Sequence, residues 1–507
     1  MQLSNKAISS LRTNGKPGIP APELFALPEK VLQFGTGVLL RGLPDYFIDQ
    51  ANKKGLFNGR IVVVKSTAQG GTDAFAKQDN LYTICVRGID KGNKVDETVI
   101  NASISRVLSA SDDWAAILEC AANPQLQVIV SNTTEVGITL VHGDDVNAAP
   151  PVSFPGKLLA FLLERYKSFK GSKESGLVIV PTELIPGNGA KLKAIVLELA
   201  RENNLTDAFI AWLNTANDFC NSLVDRIVPG KLPAADIAAM KERMGYDDDL
   251  MIMSEVYRLW AIETADERTR GILSFSKADP GVVLAPNIDK FRELKLRLLN
   301  GSHTFTCGLA VLAGFGTVKQ AMDDPRFSAF ITGLMLDEIV PAISGDTVPV
   351  EEARQFAAAV LDRYRNPFIE HHWLSITLQY TSKMKMRNVP VLQQYYDKFG
   401  TVPQHMALGL AAWLLFMKST KADSKTHTGK TAEKEYTIND DYAAHLYEFW
   451  AAASPMVQHV LQDQSLWGTN LDALPGLAEA VESNLRLLEK QGAATALKNF
   501  ESQKTVL

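Results

Sequence analysis

Cysteine is scarce and scattered. The 507 residues hold four, Cys85, Cys120, Cys220 and Cys307, with no CxxC pair among them. That spacing excludes a disulfide framework and a cysteine zinc cluster. Long apolar runs are also missing. None approaches the ~20 residues of a membrane span, and the polar first 20 residues carry no signal core. A strong charge of one sign is absent as well. The net charge of −5 argues against nucleic acid or anionic membrane as a main partner, though a basic pocket can exist inside an acidic protein. These absences predict a cytoplasmic protein in a reducing compartment, with a small molecule as partner. They leave monomer and dimer equally open. Asn-x-Ser/Thr occurs at Asn101, Asn132, Asn204 and Asn300; without a secretion signal these read as chance matches.

What the chain does contain changes texture partway along. Apolar runs at 30–34, 60–65, 126–131 and 177–181 read as buried strands, and 207–213 (DAFIAWL) as a further one. Helical spacings separate them: Leu40, Leu43, Phe47, Ile48 and Ala51, then Leu192, Ile195, Val196 and Leu199. Buried strands alternating with amphipathic helices predict a mostly parallel, Rossmann-like α/β sheet covered on both faces. From about residue 287 helical patterns dominate, at 291–314, 327–342, 350–364, 406–417, 442–453 and 474–488. Pro280 to Pro286 suits a junction. The expectation is therefore a dinucleotide-binding domain over 1–283 and a mainly helical substrate and catalytic domain over 284–507. The polar stretch 418–434 reads as an exposed loop. Its Gly429-Lys430-Thr431 lacks the leading glycine and the preceding strand of a phosphate loop.

Two segments carry chemistry. Gly35-Thr36-Gly37 follows the first strand and opens the first helix, where glycine allows a tight turn and close approach of a pyrophosphate to backbone N–H groups. The third fingerprint glycine is replaced by Leu40, and Lys65-Ser66-Thr67 stands where an acid would read the adenosine ribose. The residues alone leave NAD and NADP both open. The second segment is Lys295-x4-Asn300-x2-His303 within an apolar helical pattern. On an α-helical wheel Asn300 lies about 140° from Lys295 with His303 between them at about 80°, so all three can face one cleft. Alcohol–ketone hydride transfer needs a base for the hydroxyl proton and a donor for the developing alkoxide. Lys295 suits the first role, Asn300 the second, and His303 can orient a substrate hydroxyl. The plainer reading is a solvated lysine, a helix-capping Asn-Gly and a satisfied histidine.

The combination resembles the mannitol dehydrogenase family. Lys295-x4-Asn300-x2-His303 is similar to that family's catalytic motif, and Phe219-Cys-Asn-Ser222-Leu-Val224-Asp225-Arg226-Ile227-Val-Pro229 to its signature stretch. Further matches are Gly35-Thr-Gly37 with Arg41, Thr134-Glu135, and Arg363-Tyr-Arg-Asn366-Pro367. The resemblance implies NAD bound by Phe34, Gly35, Thr36, Gly37, Val38, Arg41, Thr134, Glu135, Val224 and Asp225. It implies metal-free catalysis by Lys295, Asn300 and His303. Read bottom-up, Ser222, Asp225 and Arg226 are one helical turn apart and suit an ion-pair network. In place of the polyol oxidisers' Asp-Asn-Leu-Pro-x-Asn-Gly stands Glu183-Leu184-Ile185-Pro186-Gly187-Asn188-Gly189. Leu184 thus replaces an expected second oxyanion donor, leaving Glu183 or Asn188 as substitutes. The change points towards the family's uronate reducers, implying reversible reduction of a ketohexuronate, tagaturonate, with fructuronate and mannitol chemistry as alternatives. Arg363, His371 and Lys383 are the expected substrate-binding side chains, with Lys385 and Arg387 assigned to a solvated basic loop. A nucleotide-binding sensor without catalysis is the non-enzyme alternative.

Overall fold

The computed structural model describes residues 1–12, 18–66, 71–133, 137–421, 426–431, 433–452 and 456–504. The chain divides into two compact units, residues 1–87 with 94–288, and residues 88–93 with 289–507.

The first unit is built on a six-stranded sheet. In chain order its strands are β1 (Glu29–Phe34), β2 (Arg60–Lys65), β3 (Ile104–Ser109), β4 (Val128–Ser131), β5 (Val178–Pro181) and β6 (Asp218–Phe219). They lie in the order β3-β2-β1-β4-β5-β6, every neighbouring pair parallel. This is the doubly wound order with its switch point between β1 and β4. Alternate residues of one strand enter opposite cores. Val31, Ile61, Val63, Val128 and Val178 pack on one face, and Leu32, Phe34, Val62, Val64 and Ile129 on the other. A sheet buried on both sides needs near-continuous apolar runs, which is why RIVVVK and VIVS read as strands. The expected Rossmann-like α/β unit followed by a mainly helical region is what the structure shows.

Three local expectations are corrected. Residues 207–213 belong to a helix, Asp207–Ala216, not a strand. The Thr206 hydroxyl caps it by accepting from the Phe209 N–H, and Phe209, Trp212, Leu213 and Ala216 bury one helical face. The stretch around Val224 is not helical either. It forms a strand, β7 (Ser222–Asp225), antiparallel to β8 (Leu259–Glu263), with Asp225 opposite Leu259. Arg226 therefore makes no ion-pair network at helical spacing. It donates to the carbonyls of Glu255 at 2.9 Å and Gly42 at 2.6 Å, and its guanidinium lies over the Tyr46 ring. Finally, His427–Lys430, inside the segment 418–434 read as a loop, pairs antiparallel with Glu435–Ile438 just beyond it, so Gly429 and Lys430 lie in a ladder.

The second unit is largely helical. Gln404–Phe416 is apolar nearly all round and runs through its core. Small residues let the helix Ser302–Leu312 pack closely on it: a Cβ on Gly308 would stand 3.1 Å from the Ala412 carbonyl oxygen, and one on Gly409 2.8 Å from that of Phe305. The buried Glu338 carboxylate caps the central helix, accepting the backbone N–H groups of His405 at 2.7 Å and Met406 at 2.9 Å. No helix among the described residues is long and apolar enough to cross a membrane.

One buried acid in the first unit makes a stability prediction. Asp45 is fully buried. It accepts from the Tyr82 hydroxyl at 3.2 Å and lies 3.5 Å from the Gln33 amide. Burial outweighs these bonds and the nearby Arg41 charge, pushing the carboxyl up to about 7. A carboxyl with a raised folded-state pKa loses stability as pH climbs from its unfolded value near 4 to about 7. Asp45→Asn, which imitates the neutral acid, is expected to be more stable than the unsubstituted protein at pH 8, by at most about 4 kcal/mol, with the gap closing towards pH 4.5. Denaturant unfolding at the two pH values checks this; an unchanged gap contradicts it.

Candidate active site

In the first unit the turn after β1 stands at the switch point. Gly35 has φ 129°, a conformation other residues avoid. A Cβ there would meet the Leu40 side chain at 2.8 Å and the Asn132 carbonyl oxygen at 3.1 Å. A Cβ on Gly37 would have nothing within 4 Å among the described residues, so the backbone at Gly37 is open. The turn is braced from behind. Gln33 Nε2 donates to the Gly35 carbonyl at 3.3 Å, and Arg41 Nε to that of Thr36 at 3.4 Å. Arg41 is buried, donates to the Leu250 carbonyl at 2.6 Å and lies beside Phe75 and Tyr82, so it holds the turn in shape. Phe34 is a core residue edge-on to Phe154, and its carbonyl accepts the Asn132 N–H at 3.1 Å. Val38 is half-buried against the core, while Val224 and Asp225 are buried in β7. Ser66, just past β2, has a buried hydroxyl without a partner among the described residues, at the strand end where a dinucleotide's ribose is read. A glycine turn with open backbone at a switch point fits a dinucleotide. Thr134 and Glu135 lie outside the described residues.

Glu183 and Asn188 are already occupied. Glu183 accepts from the Thr133 N–H and hydroxyl, both at 2.9 Å, and from Ser131 Oγ at 3.1 Å, tying the ends of β4 and β5. Asn188 is fully buried. Its amide donates to the carbonyls of Pro181, Glu183 and Ser222, and its oxygen accepts the N–H groups of Gly189 and Ser222. Both side chains act as knots of the fold and carry no spare donor for a substrate oxygen. Leu184 between them is exposed.

In the second unit, Lys295 and Asn300 occupy a segment the α-helical wheel misdescribes. Lys295–Gly301 is a π-helix between the α-helices Asp289–Leu294 and Ser302–Leu312. Bonding i→i+5 widens the turn, so the fifth residue on swings round towards the first. Lys295 and Asn300, five apart, thereby share a face that α-geometry would have split. Both are partly exposed, while Arg297, Leu298 and Leu299 between them are buried. A second π-helical segment, Met384–Asn388, is bonded to the first. Arg297 Nη1 donates to the carbonyls of Met386 and Arg387, both at 2.9 Å, and Asn388 Nδ2 to that of Gly301 at 3.0 Å. Tyr364 holds the same turn, its hydroxyl donating to the Leu299 carbonyl at 2.9 Å and meeting Ser302 Oγ at 2.8 Å.

His303 lies one turn on, stacked on the Tyr364 ring at 4.1 Å and edge-on to His371 at 5.2 Å. Its Nε2 is buried without a partner among the described residues. Burial first, then His371, Arg363 and Arg387, push its pKa well below the usual histidine range, so the ring is neutral at physiological pH. Burial, His372 and Arg363 likewise lower His371. Lys383 is half-buried with Nζ on the Ile376 carbonyl at 3.0 Å; burial and then Arg387 lower its pKa, with Cys307 and Asp440 opposing. Arg363 is buried. Arg387 is a half-buried part of this cluster rather than a residue of a solvated loop. The signal for it was its place four residues after Lys383, on the same side of a helix. Tyr364 carries no signal of its own in the sequence, because it sits between two arginines. Among the described residues no group of three His, Cys, Asp or Glu is placed to hold a metal ion.

Tyr364→Phe is expected to lower stability by about 1 kcal/mol by removing the donor to Leu299. The loss should be independent of pH through 9, because burial raises the tyrosine's pKa. Unfolding of the variant with no loss would contradict the role given to this hydroxyl.

Residues 29–272 match the profile described as the mannitol dehydrogenase Rossmann domain, and 287–489 the mannitol dehydrogenase C-terminal domain. The altronate oxidoreductase of Halalkalibacterium halodurans is 37% identical over 490 residues, covering 94% of each chain. That of Bacillus subtilis is 37% identical over 479 residues, 93% of this chain and 95% of its own. Among solved structures, Pseudomonas fluorescens mannitol 2-dehydrogenase, in a ternary complex with NAD and D-mannitol, aligns with a TM-score of 0.66 at 23% identity over 99% of this chain and 100% of that one. A D-sorbitol dehydrogenase in substrate-free form aligns with a TM-score of 0.75 at 20% identity over 98% and 100%. At these identities the two structures show the shared fold.

Proposed function

Because the chain belongs to the mannitol dehydrogenase family, we propose that this dehydrogenase acting on CH–OH interconverts D-tagaturonate and D-altronate with NAD, as a step of hexuronate breakdown. One observation carries the choice of an acidic substrate. Beside Asn300 and His303 the second unit gathers Arg363, Lys383 and Arg387, and the charged groups felt by the buried His303 are cationic. A neutral polyol needs no such field, whereas a uronate brings a carboxylate that does. Relatives bearing the altronate oxidoreductase name at 35–37% identity support the same substrate class.

The glycine turn of the first unit would hold the dinucleotide, with Gly35 and Gly37 letting the pyrophosphate approach backbone N–H groups. When bound, NAD supplies the hydride acceptor, and NADH the donor. Lys295 moves the proton: its ammonium protonates the carbonyl oxygen as the ketone is reduced, and its amine takes the hydroxyl proton in reverse. Asn300, whose side-chain amide makes no hydrogen bond with the described residues, donates to the same oxygen as negative charge develops there. Neutral His303, fixed by its stack on Tyr364, has one donor and one acceptor nitrogen with which to orient a neighbouring substrate hydroxyl.

Lys295→Ala is expected to lower turnover about 10²–10⁴-fold and to leave NADH affinity nearly unchanged. Steady-state rates with NADH binding measured by fluorescence check this, and near-normal turnover in the folded variant would remove Lys295 from the role. Assay of the unsubstituted protein against tagaturonate, fructuronate, fructose and mannitol tests the substrate; preference for a neutral sugar would reject the uronate.

A further inference from the structure

Resting on the reading of an acidic substrate, we infer that Arg387 is the specificity residue that takes the substrate carboxylate. The notable property of this guanidinium is that its hydrogen bonding is incomplete. Nη1 donates to Thr304 Oγ1 at 3.1 Å, and Nε is buried with no acceptor among the described residues. The nearby groups that bear on its charge are Cys307 and Tyr364, neither of them a carboxylate. A half-buried guanidinium without a counter-ion is costly, and a ligand anion relieves that cost where a protein acid does not. Nε–H and Nη2–H lie along one edge of the planar fork, the edge that accepts a carboxylate through two parallel bonds. With Nη1 on Thr304, that edge carries no hydrogen bond to the described residues. Side-chain adjustment on binding would open Nε to the carboxylate.

The position is fixed relative to the reacting end. The Thr304 hydroxyl that accepts from Arg387 itself donates to the Asn300 backbone carbonyl at 2.8 Å. The guanidinium is thus tied through two hydrogen bonds to the residue assigned to the alkoxide. Its own carbonyl is held by Arg297. In a ketohexuronate the carboxylate stands towards the opposite end of the carbon chain from the carbonyl, so a cation at a set distance from Asn300 measures the substrate's length and charge together. The two other cations suit this less well. Lys383 spends a donor on the Ile376 carbonyl and has no fork, and Arg363 is more deeply buried than Arg387.

The experiment compares kcat/KM for tagaturonate and for fructose, a neutral ketose, in the unsubstituted enzyme, Arg387→Met and Arg387→Lys. Arg387→Met is expected to lose about 10–100-fold on tagaturonate with less than about 3-fold on fructose. Arg387→Lys, which keeps the charge and loses the fork, should fall between. An equal fall on both substrates would make Arg387 a purely structural residue and overturn the inference, as would no fall on either. If Arg387→Met does not fold, Arg387→Lys decides alone: an unchanged substrate ratio overturns the inference and a lowered one supports it. Failure of the underlying reading is visible earlier, in the unsubstituted enzyme, as preference for fructose over tagaturonate, and it overturns the inference as well.

Discussion

The widened helical turn at Lys295–Gly301 is the constraint on which the proposed catalytic site depends. An ordinary α-helix would turn Lys295 and Asn300 well apart; the i→i+5 turn brings them round to one face. Such a turn is less favourable than its α-helical alternative and persists where neighbours hold it. Here Tyr364 takes the Leu299 carbonyl, Asn388 the Gly301 carbonyl, and Arg297 reaches across to the second wide turn at Met384–Asn388. The two wide turns hold one another, so the segment bearing Lys295 and the segment bearing Arg387 form one construction.

Charge is arranged around that construction in a consistent way. Burial and three basic neighbours together keep His303 neutral, which preserves its capacity both to donate and to accept. The cations around it supply the positive field that the proposed anionic substrate would need. In the first unit the logic is steric. Gly35 gives the turn its positive φ and close packing, Gly37 leaves backbone open, and Gln33 and Arg41 hold the turn from behind with donors aimed at its carbonyls.

Much of this was legible in the sequence. Runs such as RIVVVK, apolar at its four central positions, announce a sheet buried on both faces, and Val350–Tyr364 forms a helix over the span its spacing predicts. The failures have physical causes. DAFIAWL is apolar enough for a strand, and the Thr206 cap together with one-sided burial makes it a helix. Ser222–Asp225 is extended because β8 pairs with it, a long-range partner no local pattern reveals. The wide turn was invisible because hydroxyl and amide groups distant in sequence hold it, so a wheel drawn at 100° per residue misplaces its side chains. Among the substrate-side residues that the resemblance implies, Arg363 and His371 lie beside His303, and Lys383 lies near Arg387 and Cys307. Arg387 looked like an ordinary basic surface residue because KMKMR shows no burial pattern. Glu183 and Asn188 drew attention as polar residues after a strand, and hydrogen bonds within the fold use them up.

The central claim is that the wide turn makes Lys295 and Asn300 act on one oxygen. A double-mutant cycle on kcat, using Lys295→Ala, Asn300→Ala and the double variant, tests it most directly. Two groups acting on the same atom in the same transition state should couple strongly, the double variant being scarcely slower than the worse single one. Single effects that multiply in full would mean that the two side chains work independently, and would contradict the account.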